Sequence, residues 1–167
     1  SIAESRQRGR LWTLATALGT LGVLHAVEGE STAAATTLTE ALAIHWWYGD
    51  TTMLTRTLRG FALVATARGS ETQAEQLLGT AAEIDARVGS SMLAEVRDRD
   101  IVARYSAAAN TCLTRDDRNA LRATGVTFSL AQAVALARQV AISVLGSEHV
   151  AQIWQATPAP DPGPSPL

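Results

Sequence analysis

Laid so that Leu18 stands over Leu58, the first part of this sequence falls into register with the part that follows it. Leu18, Gly29, Thr32, Ala34, Leu38, Ala41, Ile44 and Gly49 recur as Leu58, Gly69, Thr72, Ala74, Leu78, Ala81, Ile84 and Gly89. The matches stand where a helical hairpin needs them. Gly29 and Gly69 close the first helix of each pair. Ala34 with Ala41, and Ala74 with Ala81, are small residues seven apart on the second helix, where they let a partner helix approach; Leu38 and Leu78 fill the space between. A unit of this kind cannot bury its apolar face alone, so the two hairpins are expected to stack.

The rest of the chain continues in helical periodicity. Helices are expected from about Ala3 to Glu28, from Ser31 to just before Gly49, from Thr51 to Arg68, and from Ser70 to Val88. Ser70 with Gln73 forms a capping-box pattern at the start of the fourth. A fifth helix is expected from Ser91 to Asn110, its centre a solvated charged stretch with Glu95–Arg99 and Asp100–Arg104 in favourable i,i+4 order. Thr114 with Asp117, and Ser129 with Gln132, are two more capping boxes, opening helices that stop at Gly125 and Leu145. In the last of these, Leu130, Val134, Ala137, Ala141 and Val144 share a face. Beyond Gly146 the periodicity fades, and all five prolines fall close together at the very end as an extended tail. Ala is the commonest residue and aromatics are only 5%, which favours close helix packing over a sheet.

Charge and motifs narrow the function classes. All 14 cationic residues are Arg, yet the net charge is −2, so there is no basic footprint for nucleic acid. The absence of Lys excludes a P-loop. Cys112 is the single cysteine, and no His or Cys pair has zinc-ligand spacing, so no metal and no cofactor is expected. The carboxylates Asp98, Asp100, Asp116 and Asp117 each adjoin an Arg, as exposed helix pairs do. Leu11 to Val27 carries no fixed charge and could be taken for an export signal or a short span. Its threonines, its Gly19 and Gly22, and its shortness for a span favour a helix buried on most sides, in a soluble cytoplasmic protein with no membrane partner.

Leu21-Gly22, His25, Gly29, Ala34, Leu38 and Ala41-Leu42 resemble the tetratricopeptide (TPR) pattern, with His25 where an aromatic is usual. Phe61-Ala62, Ala65, Gly69, Ala74, Leu78 and Ala81 form a weaker second copy. The offset, from Gly29 to Gly69, is longer than the usual repeat of about 34 residues, and no proline closes either copy. The run from Leu58 through Gly69 to Ala82, together with Thr127 to Ala137, is similar to the helical C-terminal region of bacterial LuxR-type ATPase regulators. The resemblance implies an all-α fold: TPR-like antiparallel hairpins in a right-handed superhelix of about seven helices, spanning residues 1–155, with a Pro-rich linker or tail over 156–167. It implies a protein-interaction or signal-sensing segment of a transcriptional regulator, without catalytic or DNA-binding residues of its own. Its partners would be an upstream ATPase domain or another regulator subunit, and a homodimer would also cover open repeat ends.

In TPR geometry the first helix of each pair lines the groove. That places Thr16, Val23, Arg56, Arg59, Leu63 and Thr66 there, with Arg56 and Arg59 able to grip a partner carboxylate or to serve as plain surface arginines. Trp46 and Trp47 form an aromatic patch at a hairpin junction, read first as packing and second as a ligand platform. The competing function is a small-ligand-binding bundle or an enzyme, which would need a deep pocket with converging polar groups.

Overall fold

The computed structural model describes residues 2–108 and 113–157. Cys112 and the proline tail from residue 158 lie outside them. Among the described residues the protein is all-α, with nine helices and no strand. They are α1 (Ile2–Glu28), α2 (Ser31–Tyr48), α3 (Thr51–Ala67), α4 (Glu71–Arg87), α5 (Ser91–Arg97), α6 (Arg99–Ala108), α7 (Arg115–Val126), α8 (Leu130–Leu145) and α9 (Ser147–Ala156).

The internal repeat is two antiparallel hairpins, α1–α2 and α3–α4, packed side by side. Their turns are built alike. Gly29 (φ +82°) and Gly69 (φ +74°) sit in the left-handed region that a side chain disfavours. The next amides, of Glu30 and Ser70, donate back to the His25 and Ala65 carbonyls at 2.9 and 2.8 Å. Leu38 is the bolt of the assembly. It is fully buried between Gly22 of α1 and Gly60 of α3, where an added Cβ would come within 2.6 and 2.9 Å of its side chain. Ala34, Ala41, Ala74 and Ala81 are fully buried as well.

The remaining helices wrap the hairpins. α8 lies against α2 and α3, α9 against α2 and α8, and α7 against α4. The α4–α7 crossing is close enough that a Cβ on Gly79 would stand 2.2 Å from the Arg122 carbonyl oxygen, and one on Gly125 2.0 Å from that of Gln76. Thr80 Oγ1 donates to the Gly125 carbonyl at 2.7 Å across it. Both capping boxes expected at Thr114 and Ser129 are formed.

Several expectations are corrected. Ser70 makes no side-chain capping bond and no capping box forms; its amide, which the Gln73 side chain would have to reach, already donates to the Ala65 carbonyl at 2.8 Å. The fifth helix breaks at Asp98 into α5 and α6. The charged stretch is only partly solvated: Glu95, Arg99, Asp100 and Arg104 are exposed, but Asp98 is buried. A helix, α9, follows Gly146 where the periodicity fades. Val150 inserts into the core, and the Arg138 guanidinium stacks 4.5 Å over the Trp154 ring. These two differences turn about seven helices into nine. Finally, α1 is not buried on most sides. Ala15 and Val23 face inward, while Leu14, Leu21 and Leu24 are 43–49% exposed.

Candidate interaction surface

Arg56 and Arg59 are three positions apart on α3 and emerge on one face. They meet the chain's own carboxylates. Arg56 Nη1 donates to Asp98 Oδ1 at 2.7 Å, and Arg59 Nη1 to Asp98 Oδ2 at 2.9 Å. Arg97 adds Nε to Oδ1 at 2.8 Å and Nη2 to Oδ2 at 2.7 Å. Arg59 Nη2 lies 2.7 Å from Asp85 Oδ2 at the end of α4. Thr55 and Ser90 hydroxyls donate to the other Asp85 oxygen, each at 3.0 Å. Both aspartates are 1% exposed and both α3 arginines 8%. Burial alone would raise the Asp98 pKa. The hydrogen bonds from Arg97 and Arg56, with the charges of Arg97 and Arg59, outweigh burial and hold it below the ordinary carboxylate value.

The cluster sits at the helix break. Ala94, one turn before Asp98, is buried too, so Asp98 continues the inward face of α5. The irregular turn at Asp98, with φ −105° and ψ 14°, then redirects the chain into α6. The cluster also pins α5. Arg97 Nη1 reaches the Thr52 carbonyl at 3.0 Å and Nη2 the Thr55 hydroxyl at 3.2 Å, so the short helix is tied to the start of α3. Outward from that anchor α5 presents Met92 (80% exposed), Leu93 (72%) and Val96 (64%), with Val88 beside them at the end of α4. Three large apolar side chains in solvent on so short a helix form a patch that a lone domain gains nothing by exposing. The cavity under α5, lined by Arg59, Asp85, Ser91, Glu95 and Asp98, is about 150 Å³. Drug-sized ligands occupy roughly 300 Å³ or more, so the cavity suits waters.

A second buried carboxylate, Glu75 of α4, accepts from the Tyr105 hydroxyl and from Arg122 Nε, joining α4, α6 and α7. Burial, then the Glu75 carboxylate, pushes the Tyr105 phenol well up, so it stays protonated. At the α2–α3 turn, Asp50 caps α3 through the Met53 amide and accepts from the Trp12 indole at 2.6 Å. His45 is buried beside it with Nε2 lacking a hydrogen-bond partner. Burial lowers its pKa, against a smaller opposing pull from Asp50. His25, Glu28 and Glu30 bring ligand-type atoms within 4.8 Å of one another at the exposed α1–α2 turn, where His25 Nδ1 and Glu30 already meet.

The other residues expected in a groove are scattered. Val23 is fully buried in the core. Thr16 and Thr66 are half-buried, each hydroxyl donating at 2.9 Å to a carbonyl of its own helix. Leu63 and Thr66 do come together, with Ala26, Val27 and Arg104, around an open depression of about 340 Å³. Trp46 packs half-buried against the core, and Trp47 is 38% exposed. Sequence reasoning missed Asp85 as an acceptor and missed the α5 patch. Met92, Leu93 and Val96 have ordinary helical spacing, and nothing in that spacing says which face so short a helix turns outward.

No family model, no curated protein and no solved structure matches this chain.

Proposed function

We propose that this chain is the interaction segment of a LuxR-type transcriptional regulator, a TPR-like pair of hairpins belonging to a right-handed superhelix, which docks a protein partner rather than performing chemistry. The observation that carries this reading is the outward face of α5. Met92, Leu93 and Val96 stand in solvent on a helix held rigid from below by Asp98. Rigid apolar anchors lose little entropy on binding and are what an interface centre requires. The repeated hairpins and their matching turns support the TPR-like reading. The buried polar groups described above are satisfied mainly by one another, which supports a structural use for them. Arg56 and Arg59 act here through the scaffold, by fixing α5, and not by touching the partner.

The partner favoured by this reading is the nucleotide-binding domain of the same regulator. Two measurements test it. The coding frame around this segment should hold an ATPase module before it and a helix-turn-helix after it; a frame with neither overturns the regulator assignment. Within the natural polypeptide, Met92→Glu with Leu93→Glu should weaken contact with the ATPase module by at least ~10-fold and lower transcription of a reporter, while the folded segment keeps its Tm. Unchanged binding and transcription would refute α5 as the docking element.

A further inference from the structure

α1 is apolar on both sides. Its inner face, with Ala15, Gly19, Gly22 and Val23, packs on α2 and α3. Its outer face carries Leu14, Ala17, Leu21 and Leu24, all exposed. These four are spaced three, four and three positions apart, which is the seam of a two-helix coiled coil. In the register of the internal repeat, Leu14, Leu21 and Leu24 fall on Leu54, Phe61 and Val64. Those α3 residues are 0–1% exposed, because α3 is surrounded by α1, α2, α4, α6 and α8. The same stripe is core in one copy of the repeat and bare in the other.

We infer that a second copy of this chain covers the stripe, α1 against α1 in antiparallel orientation. The charges at the two ends of the seam select this occupant. One heptad past Leu21 the seam position is Glu28, and one heptad before Ala17 it is Arg10; both are exposed. Pairing two α1 helices about a two-fold axis level with Gly19 sets Leu14 against Leu24 and Ala17 against Leu21 of the other copy. The same register sets Arg10 against Glu28 at both ends. A two-fold contact must be self-complementary, and this one is, in both apolar and charged layers. Parallel pairing would put Arg10 on Arg10 and Glu28 on Glu28. The paired stretch from Arg10 to Glu28 is roughly 28 Å long, and Ala17 lets the helices approach closely at its middle. This inference goes beyond the α5 reading and does not depend on it, since the two faces belong to different helices.

Arg6–Glu28 also has the length and composition to cross a membrane, so a lipid occupant is the rival. The test uses residues 1–167 in sedimentation equilibrium over a range of concentrations, with far-UV circular dichroism as the folding control. The expected species is a dimer, of twice 17.6 kDa. Leu21→Glu should raise the dimer dissociation constant by roughly 100-fold, because each copy then sets a carboxylate in the apolar seam. Arg10→Glu alone, and Glu28→Arg alone, should each weaken the dimer by several-fold; the two together should restore it. A monomer at every concentration overturns the inference, and so does a dimer indifferent to Leu21→Glu. A charge swap that fails to restore association overturns the antiparallel register. Flotation of the wild-type chain with phosphatidylglycerol–phosphatidylcholine vesicles, in preference to self-association, overturns the choice of occupant. Loss of contact with the ATPase module leaves all of these outcomes unchanged.

Discussion

Replacing Asp98 by alanine tests whether the arginine cluster holds α5 or merely decorates it. Asp98 accepts four hydrogen bonds, at 2.7–2.9 Å, from Arg56, Arg59 and Arg97. Arg59 would keep Asp85, and Arg97 reaches solvent, but the ion pair of Arg56 is with Asp98. The substitution therefore leaves one guanidinium, 8% exposed, without its counter-charge and with only the Arg97 carbonyl at 3.2 Å to accept from it. Stranding a buried charge costs about 3–5 kcal/mol, a large share of the roughly 5–15 kcal/mol typical of a whole domain. Urea unfolding followed by circular dichroism should show that loss as a lower midpoint at constant slope. Arg56→Met in the same chain removes the stranded charge, so the double variant should be more stable than additivity predicts by at least ~1 kcal/mol. Amide exchange in α5 should accelerate in Asp98→Ala, since the Arg97 bonds to Thr52 and Thr55 are then what ties the helix to α3. A loss below about 1 kcal/mol, or strict additivity with Arg56→Met, would refute the reasoning.

Two further predictions concern stability. Gly125→Ala places a Cβ 2.0 Å from a backbone oxygen that cannot step aside, and should cost about 3 kcal/mol or more by forcing α4 and α7 apart. Gly9→Ala, on α1 with nothing within 4 Å, should instead add about 0.5–1 kcal/mol; equal urea midpoints for the two variants would contradict the close crossing. The pH dependence follows from His45 and Asp98. Burial lowers the His45 pKa, so below pH 6.5 the unfolded chain takes up a proton that the folded one refuses, and stability falls as pH falls from 6.5. His45→Leu should flatten that part of the urea midpoint profile. The Asp98 contribution is complete above its ordinary value of 3.8 and is lost as pH falls through its depressed folded value, a loss that Asp98→Ala should not show.

Legibility in the sequence followed the range of the interactions. The glycine stops Gly29, Gly49, Gly69 and Gly89 were readable because each is a local backbone requirement, and the structure places each at positive φ. The capping boxes at Thr114 and Ser129 were readable for the same reason. Ser70 has the same letters and no capping box, because the amide that Gln73 would have to reach is already held by the turn from α3. The arginines on α3 were singled out, but their acceptors lie at the end of α4 and at the α5–α6 break, and no spacing rule reaches across whole helices.

Sequence alone settled the helical class, the two-hairpin repeat and its turns, because propensity, capping and glycine conformation act over a few residues. Tertiary structure alone decided that Asp98 turns inward where a helix breaks, that α4 and α7 meet backbone to backbone at Gly79 and Gly125, and that the outer stripe of α1 stays bare while its repeat on α3 is core. Which side of a helix is covered depends on how many neighbours surround it, and that number is a property of the packed molecule rather than of any local pattern.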